Sequence, residues 1–179
     1  MGSADPFGQA GKRARGYAEA IDPFGENPPM LPEYFEFSLP TRVIYGIGAI
    51  HQSNDAVAHY GPRRALLVTD AVLVRAGLAE RVRTGFRNTA IEIVATFDQV
   101  PPNSTIQTVE DCAALGRAHG CDFIIGLGGG SVLDTAKVAN ILMVEGGRVQ
   151  DHMGAYLLGQ TRLLPLVLVP TTAGTGSEV

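Results

Sequence analysis

The sequence of 179 residues predicts an α/β fold, a doubly wound and mostly parallel sheet with helices on both faces. Three observations predict it. From about residue 34, apolar runs of strand length alternate with segments of helical period. Two runs, 65–69 and 164–169, are nearly all apolar, as expected of strands covered on both faces. Turns rich in glycine and hydroxyls follow strands, at the end of the sheet where such folds collect a ligand.

The elements follow in order. Residues 1–33 are rich in Gly, Pro and Ala, lack an apolar period and carry Asp-Pro-Phe-Gly twice, at 5–8 and 22–25. They read as a loosely docked tail, with partner docking through Phe7 and Phe24 as the other reading. Strands are expected over 42–45, 65–69, 91–96, 123–127 and 164–169. Helices are expected over 50–60, 72–87, 106–118 and 132–144; in the third, Ile106, Val109, Ala113 and Gly116 recur at helical spacing. Residues 34–179 form the domain. The chain ends about ten residues after the last run, in a Gly- and Thr-rich turn, so it is expected to be part of a longer protein.

Composition narrows the function. Apolar residues make up 45% and charged residues 18%, enough apolar surface for a core. The net charge of −4 and the lack of a basic run argue against a nucleic-acid partner. No apolar run reaches the roughly 18 residues needed to span a membrane, and no secretory leader is evident. Cys112 and Cys121 make no disulfide framework and read as buried thiols. A cytoplasmic setting is expected.

The glycines locate the chemistry. Gly128, Gly129, Gly130 and Ser131 follow an apolar strand and open a helix that continues through Asp134 and Lys137. Without Cβ atoms a ligand can approach the backbone, and the first N–H groups of the helix, with its dipole, attract a phosphate. The alternative is a tight turn with no ligand. Ser131 stands where the common dinucleotide fingerprint has its last glycine. The run of residues 170–178, Pro-Thr-Thr-Ala-Gly-Thr-Gly-Ser-Glu, follows the last strand and presents Thr171, Thr172 and Thr175. These hydroxyls suit a ribose, a diphosphate or an amide, or form a solvated loop.

Asp70 ends the 65–69 strand. An acid there can bond the adenosine ribose and repel a 2′-phosphate, or cap the next helix. Asn103 lies in Pro101-Pro102-Asn103-Ser104, where it reaches a ligand or makes a turn. Gly46-Ile47-Gly48 reads as a turn. The chain lacks the Gly-x4-Gly-Lys-Ser/Thr phosphate loop and the Gly-x-Ser-x-Gly elbow, which disfavours a nucleotide triphosphatase and an ordinary α/β-hydrolase. His51, His59, His119 and His152 are scattered and form no metal-type pair.

Taken together, five segments resemble the iron-containing alcohol dehydrogenase family: Leu39–Gly48, Val68-Thr69-Asp70, Phe97–Asn103, Gly128–Lys137 and Pro170–Glu178. The likeness runs from about residue 34 to the end, with Ser104 where the family usually has Pro. It implies a Rossmann-like N-terminal domain of the dehydroquinate-synthase-like superfamily, followed by a helical metal-binding domain absent from this chain. By resemblance Asp70 faces the adenosine ribose and Asn103 lies near it. Gly129, Gly130 and Ser131 hold the diphosphate, and Thr171, Thr172 and Thr175 line the diphosphate and nicotinamide region.

The cofactor implied is NAD, with NADP left open. A divalent metal, usually Fe²⁺ on one Asp and three His, is implied for the longer protein, with none of its ligands here and no catalytic residue in this chain. The substrate implied is a small alcohol or aldehyde, and there is room for a homodimer. The resemblance expects the chain alone to be inactive. Maleylacetate-reductase-, glycerol-dehydrogenase- and transhydrogenase-like activities remain alternatives, as does a non-catalytic nucleotide-binding module.

Overall fold

The computed structural model describes residues 41–153 and 162–178. The tail expected over 1–33 lies outside them. Four parallel strands form one sheet: β1 (Arg64–Val68), β2 (Glu92–Phe97), β3 (Phe123–Gly128) and β4 (Leu166–Pro170), in the order β2-β1-β3-β4. Among the described residues five α-helices accompany them: α1 (Ser53–Ala58), α2 (Ala71–Arg75), α3 (Leu78–Gly85), α4 (Ile106–Ala118) and α5 (Gly130–Glu145).

Side chains alternate across each strand, so one strand feeds two cores. Leu66, Val68 and Ile124 face α4 and α5, packing with Cys112, Ala113, Ala136 and Leu142. Ala65, Leu67, Phe123 and Ile125 pack on the other face with Val57 of α1 and with Ala79, Val82 and Phe86 about α3. Helices therefore cover both faces, as the apolar runs require. β3 is buried throughout and β1 from Ala65 onward, whereas β4 is half-buried at the outer edge of the described sheet.

The strand order sets the position of the cleft. From β1 the chain crosses to β2, then returns past β1 to β3 and on to β4. The direction of winding reverses between β1 and β3, and their carboxyl ends part there to leave a crevice.

Two expectations change. Residues 42–45 pair with no described strand; Val43 is 72% exposed and Tyr45 99%. An apolar run becomes a strand only where a ladder partner meets it. The single helix expected over 72–87 is two, because Gly77 takes φ +76°, a left-handed conformation that ends α2 and starts α3 at a new angle.

Asn140 is 2% exposed and clamps the approach to β4: its Nδ2 donates to the Leu164 carbonyl at 2.9 Å, and its Oδ1 accepts the Leu164 N–H at 3.0 Å. Asn140→Ala leaves both backbone groups unsatisfied and should cost about 2–3 kcal/mol, read as a lower urea midpoint at unchanged slope. Burial, then the nearby Cys121, pushes the Cys112 thiol from 9.0 up to about 12. Its neutral form is favoured on folding, so its stabilising contribution is complete below pH 9.0 and fades as pH rises toward 12. Cys112 should resist a thiol reagent at pH 8 and react once urea unfolds the chain.

Candidate nucleotide-binding cleft

A cleft of about 690 Å³ opens at the carboxyl ends of the strands. Four loops line it: Asp70–Leu73 after β1, Asp98–Pro102 after β2, Gly129–Val132 after β3, and Thr171 with Thr172 after β4. The volume is within the range of small-molecule sites.

The floor is the β3–α5 turn. Gly129 is extended at φ −82° and ψ −173° and offers no side-chain cap to α5. Its carbonyl takes the N–H of Val132 at 3.0 Å and of Leu133 at 3.1 Å. The N–H groups of Gly130 and Ser131 find no acceptor among the described residues. They carry the positive end of a helix of 16 residues. The glycines are required by their surroundings. A Cβ on Gly128 would sit 2.5 Å from the Val132 side chain, one on Gly129 would sit 3.0 Å from Thr172 Oγ1, and one on Gly130 would sit 3.1 Å from Ser177 Oγ. A side chain at 128 would press on Val132 of α5, and one at 129 or 130 on the β4 loop.

Asp70 does two things at once. Its Oδ1 accepts the N–H groups of Val72 at 2.8 Å and Leu73 at 2.9 Å, capping α2. The capped carboxylate is thereby fixed in the wall of the cleft, and Oδ2 accepts no bond among the described residues. The two readings of this acid are compatible.

The remaining sequence-predicted residues divide. Gly129, Gly130, Ser131, Thr171 and Thr172 line the cleft, but Gly128, Asn103, Asp134 and Thr175 do not. Asn103, in a left-handed turn at φ 57°, donates its backbone N–H to Ser131 Oγ at 3.2 Å. Asp134 Oδ2 accepts from Ser177 Oγ at 3.1 Å, while Oδ1 lies 3.3 Å from Lys137 Nζ. Thr175 Oγ1 donates to Glu178 Oε2 at 3.2 Å and accepts the Ser177 N–H at 3.3 Å. These groups hold the loops in place. Sequence reasoning missed Gln99 and Val72 as lining residues; Gln99 pairs with Asp70 through an isolated antiparallel bridge, a contact with no local sequence signal.

Among the described lining residues the ionisable side chains are the carboxylates of Asp70 and Asp98. No Lys or Arg stands among the described residues lining the cleft, so negative charge is met by backbone N–H groups and the α5 dipole. None of His51, His59, His119 and His152 lines it. Nδ1 of His119 lies 3.0 Å from the Leu115 carbonyl, and Nε2 of His152 lies 2.8 Å from that of Gly146. Among the described residues, no three His, Cys, Asp or Glu side chains converge as a metal site. No described helix is long and apolar enough to cross a membrane.

The family pattern described as iron-containing alcohol dehydrogenase matches residues 40–179. The chain belongs to this family. It is 37% identical to a choline dehydrogenase of Bacillus subtilis, over 83% of this chain and 37% of that protein. It is 34% identical to an NAD-dependent methanol dehydrogenase of Bacillus methanolicus, over 79% of this chain and 37% of that one. The structure of sulfoacetaldehyde reductase from Bifidobacterium kashiwanohense in complex with NAD⁺ superposes with a TM-score of 0.70 at 28% identity, covering 83% of this chain and 39% of that chain. The chain thus spans under two-fifths of the length of each.

Asp134→Ala should release Ser177 and with it the β4 loop. Hydrogen exchange at residues 171–178 should accelerate, with the amides of β1 and β3 unchanged.

Proposed function

We propose that this chain is the cofactor-binding part of an enzyme that moves hydride between NAD and an alcohol or aldehyde. The observation that carries the proposal is the uncapped start of α5, opening at the switch point between β1 and β3 with Asp70 fixed across from it. In this reading residues 34–179 form the NAD-binding domain. NAD-dependent and NAD⁺-bound relatives support the choice of cofactor.

Each residue has a defined task. The N–H groups of Gly130 and Ser131 take the diphosphate oxygens, with Ser131 Oγ beside them. Asp70 accepts from the adenosine ribose hydroxyls through Oδ2. A 2′-phosphate would meet this carboxylate with no Lys or Arg in the described lining, which favours NAD over NADP. Thr171 and Thr172 face the diphosphate and nicotinamide side. Asn103, Asp134 and Thr175 act through the loops they fix. Bound NAD supplies the carbon that exchanges hydride. The protein contributes position, holding the dinucleotide rigidly while the substrate meets it. The iron in the family description finds no ligand set among the described residues, and no step runs through it here.

Relatives of this chain carry names as different as choline, methanol and 4-hydroxybutyrate dehydrogenase. We assign the choice of alcohol to residues outside the cleft described above.

Titration of the purified chain with NADH, followed by nicotinamide fluorescence, tests the proposal. Saturable binding is expected, tighter for NADH than for NADPH. Asp70→Ala should weaken NADH about tenfold, the order expected for a hydrogen bond to a charged group, and narrow that preference. Gly129→Val should abolish binding. A folded chain that binds neither nucleotide contradicts it.

A further inference from the structure

Ser104, in the loop after β2, uses its hydroxyl in a contact with α5. Thr135 in α5 is 1% exposed, and its Oγ1 lies 2.7 Å from Ser104 Oγ and 2.7 Å from the Ser131 carbonyl oxygen. A threonine hydroxyl has one proton, and a carbonyl can only accept. The Thr135 proton therefore goes to the Ser131 carbonyl, and Ser104 donates its own proton to Thr135 Oγ1. One residue earlier, the Asn103 N–H donates to Ser131 Oγ at 3.2 Å. The loop after β2 thus holds Ser131 at two points, the carbonyl by way of Thr135 and the side-chain oxygen directly.

We propose that Ser104 is a positioning residue for the cofactor diphosphate, acting through Thr135 on Ser131. This rests on the nucleotide reading of the cleft and extends it. Ser131 Oγ accepts from Asn103 and donates no hydrogen bond among the described residues, so its proton remains for a ligand oxygen. Ser131 itself lines the cleft beside its own uncapped N–H. A fixed Ser131 presents two donors to one anion, and a loose one must be ordered on binding, at a cost in affinity.

The test compares Ser104→Ala and Ser104→Thr with the unaltered chain, using NADH, ADP and adenosine as probes. Ser104→Ala should weaken NADH and ADP alike, about three- to tenfold, as expected for loss of one hydrogen bond. Adenosine, which lacks the diphosphate, should bind as before when followed by ligand NMR. Ser104→Thr keeps the hydroxyl and should restore ADP binding. Unchanged ADP affinity in Ser104→Ala overturns the proposal. So does an equal loss for adenosine, which marks general damage to the cleft, or failure of a folded Ser104→Thr chain to recover. If the unaltered chain binds neither NADH nor ADP, the nucleotide reading itself falls first and this proposal with it.

Discussion

The turn from β3 into α5 constrains everything around it. A strand buried on both faces must become a helix within one residue, and the backbone there is crowded by Val132, Thr172 and Ser177. Residues without a Cβ avoid a clash with Val132 at 128 and tight contacts with Thr172 and Ser177 at 129 and 130. The same absence leaves the first amides of α5 without a side-chain cap. A structural necessity of packing and a binding opportunity are thus one feature. Had the helix begun with Ser, Thr or Asp at the cap, those donors would have been satisfied internally and the site weakened.

The rest of the site depends on that turn staying open. Loops from two other strands, β2 and β4, are fastened around it by bonds across long sequence separations: Asp134 to Ser177, Asn103 to Ser131, and Thr171 N–H to the Gly128 carbonyl at 2.9 Å. Asp70 is stiffened by its own helix. Little is left for a ligand to order, which lowers the entropic cost of binding. Cations are absent from the described lining, so selectivity follows from placed dipoles and two carboxylates, Asp70 and Asp98. That arrangement suits a diphosphate flanked by neutral groups better than a free, highly charged phosphate.

Much of this was legible in the sequence because burial leaves a direct imprint. Strands β1 to β4 follow the apolar runs within a residue or two, since parallel strands must be apolar on both faces. The glycine run declared its turn. What sequence could not supply was partnership. The run 42–45 has strand composition but no described ladder to join. Gly77 divides a segment whose apolar period continues through it, because backbone conformation rather than hydrophobicity decides the break. Asp134 and Thr175 are polar residues in segments expected from sequence to bind a ligand, yet their side chains bond Ser177 and Glu178. Spacing alone does not separate a residue that touches a ligand from one that holds the residue that does.

The most direct test of the central claim is a nitrogen-15 NMR titration of the labelled chain with NAD, resolved amide by amide. The largest and earliest shifts should fall on Gly130 and Ser131, with smaller ones at Asp70–Leu73 and Thr171–Thr172. Saturable binding that moves other amides and leaves Gly130 and Ser131 unchanged would contradict the assignment of the α5 start as the diphosphate site.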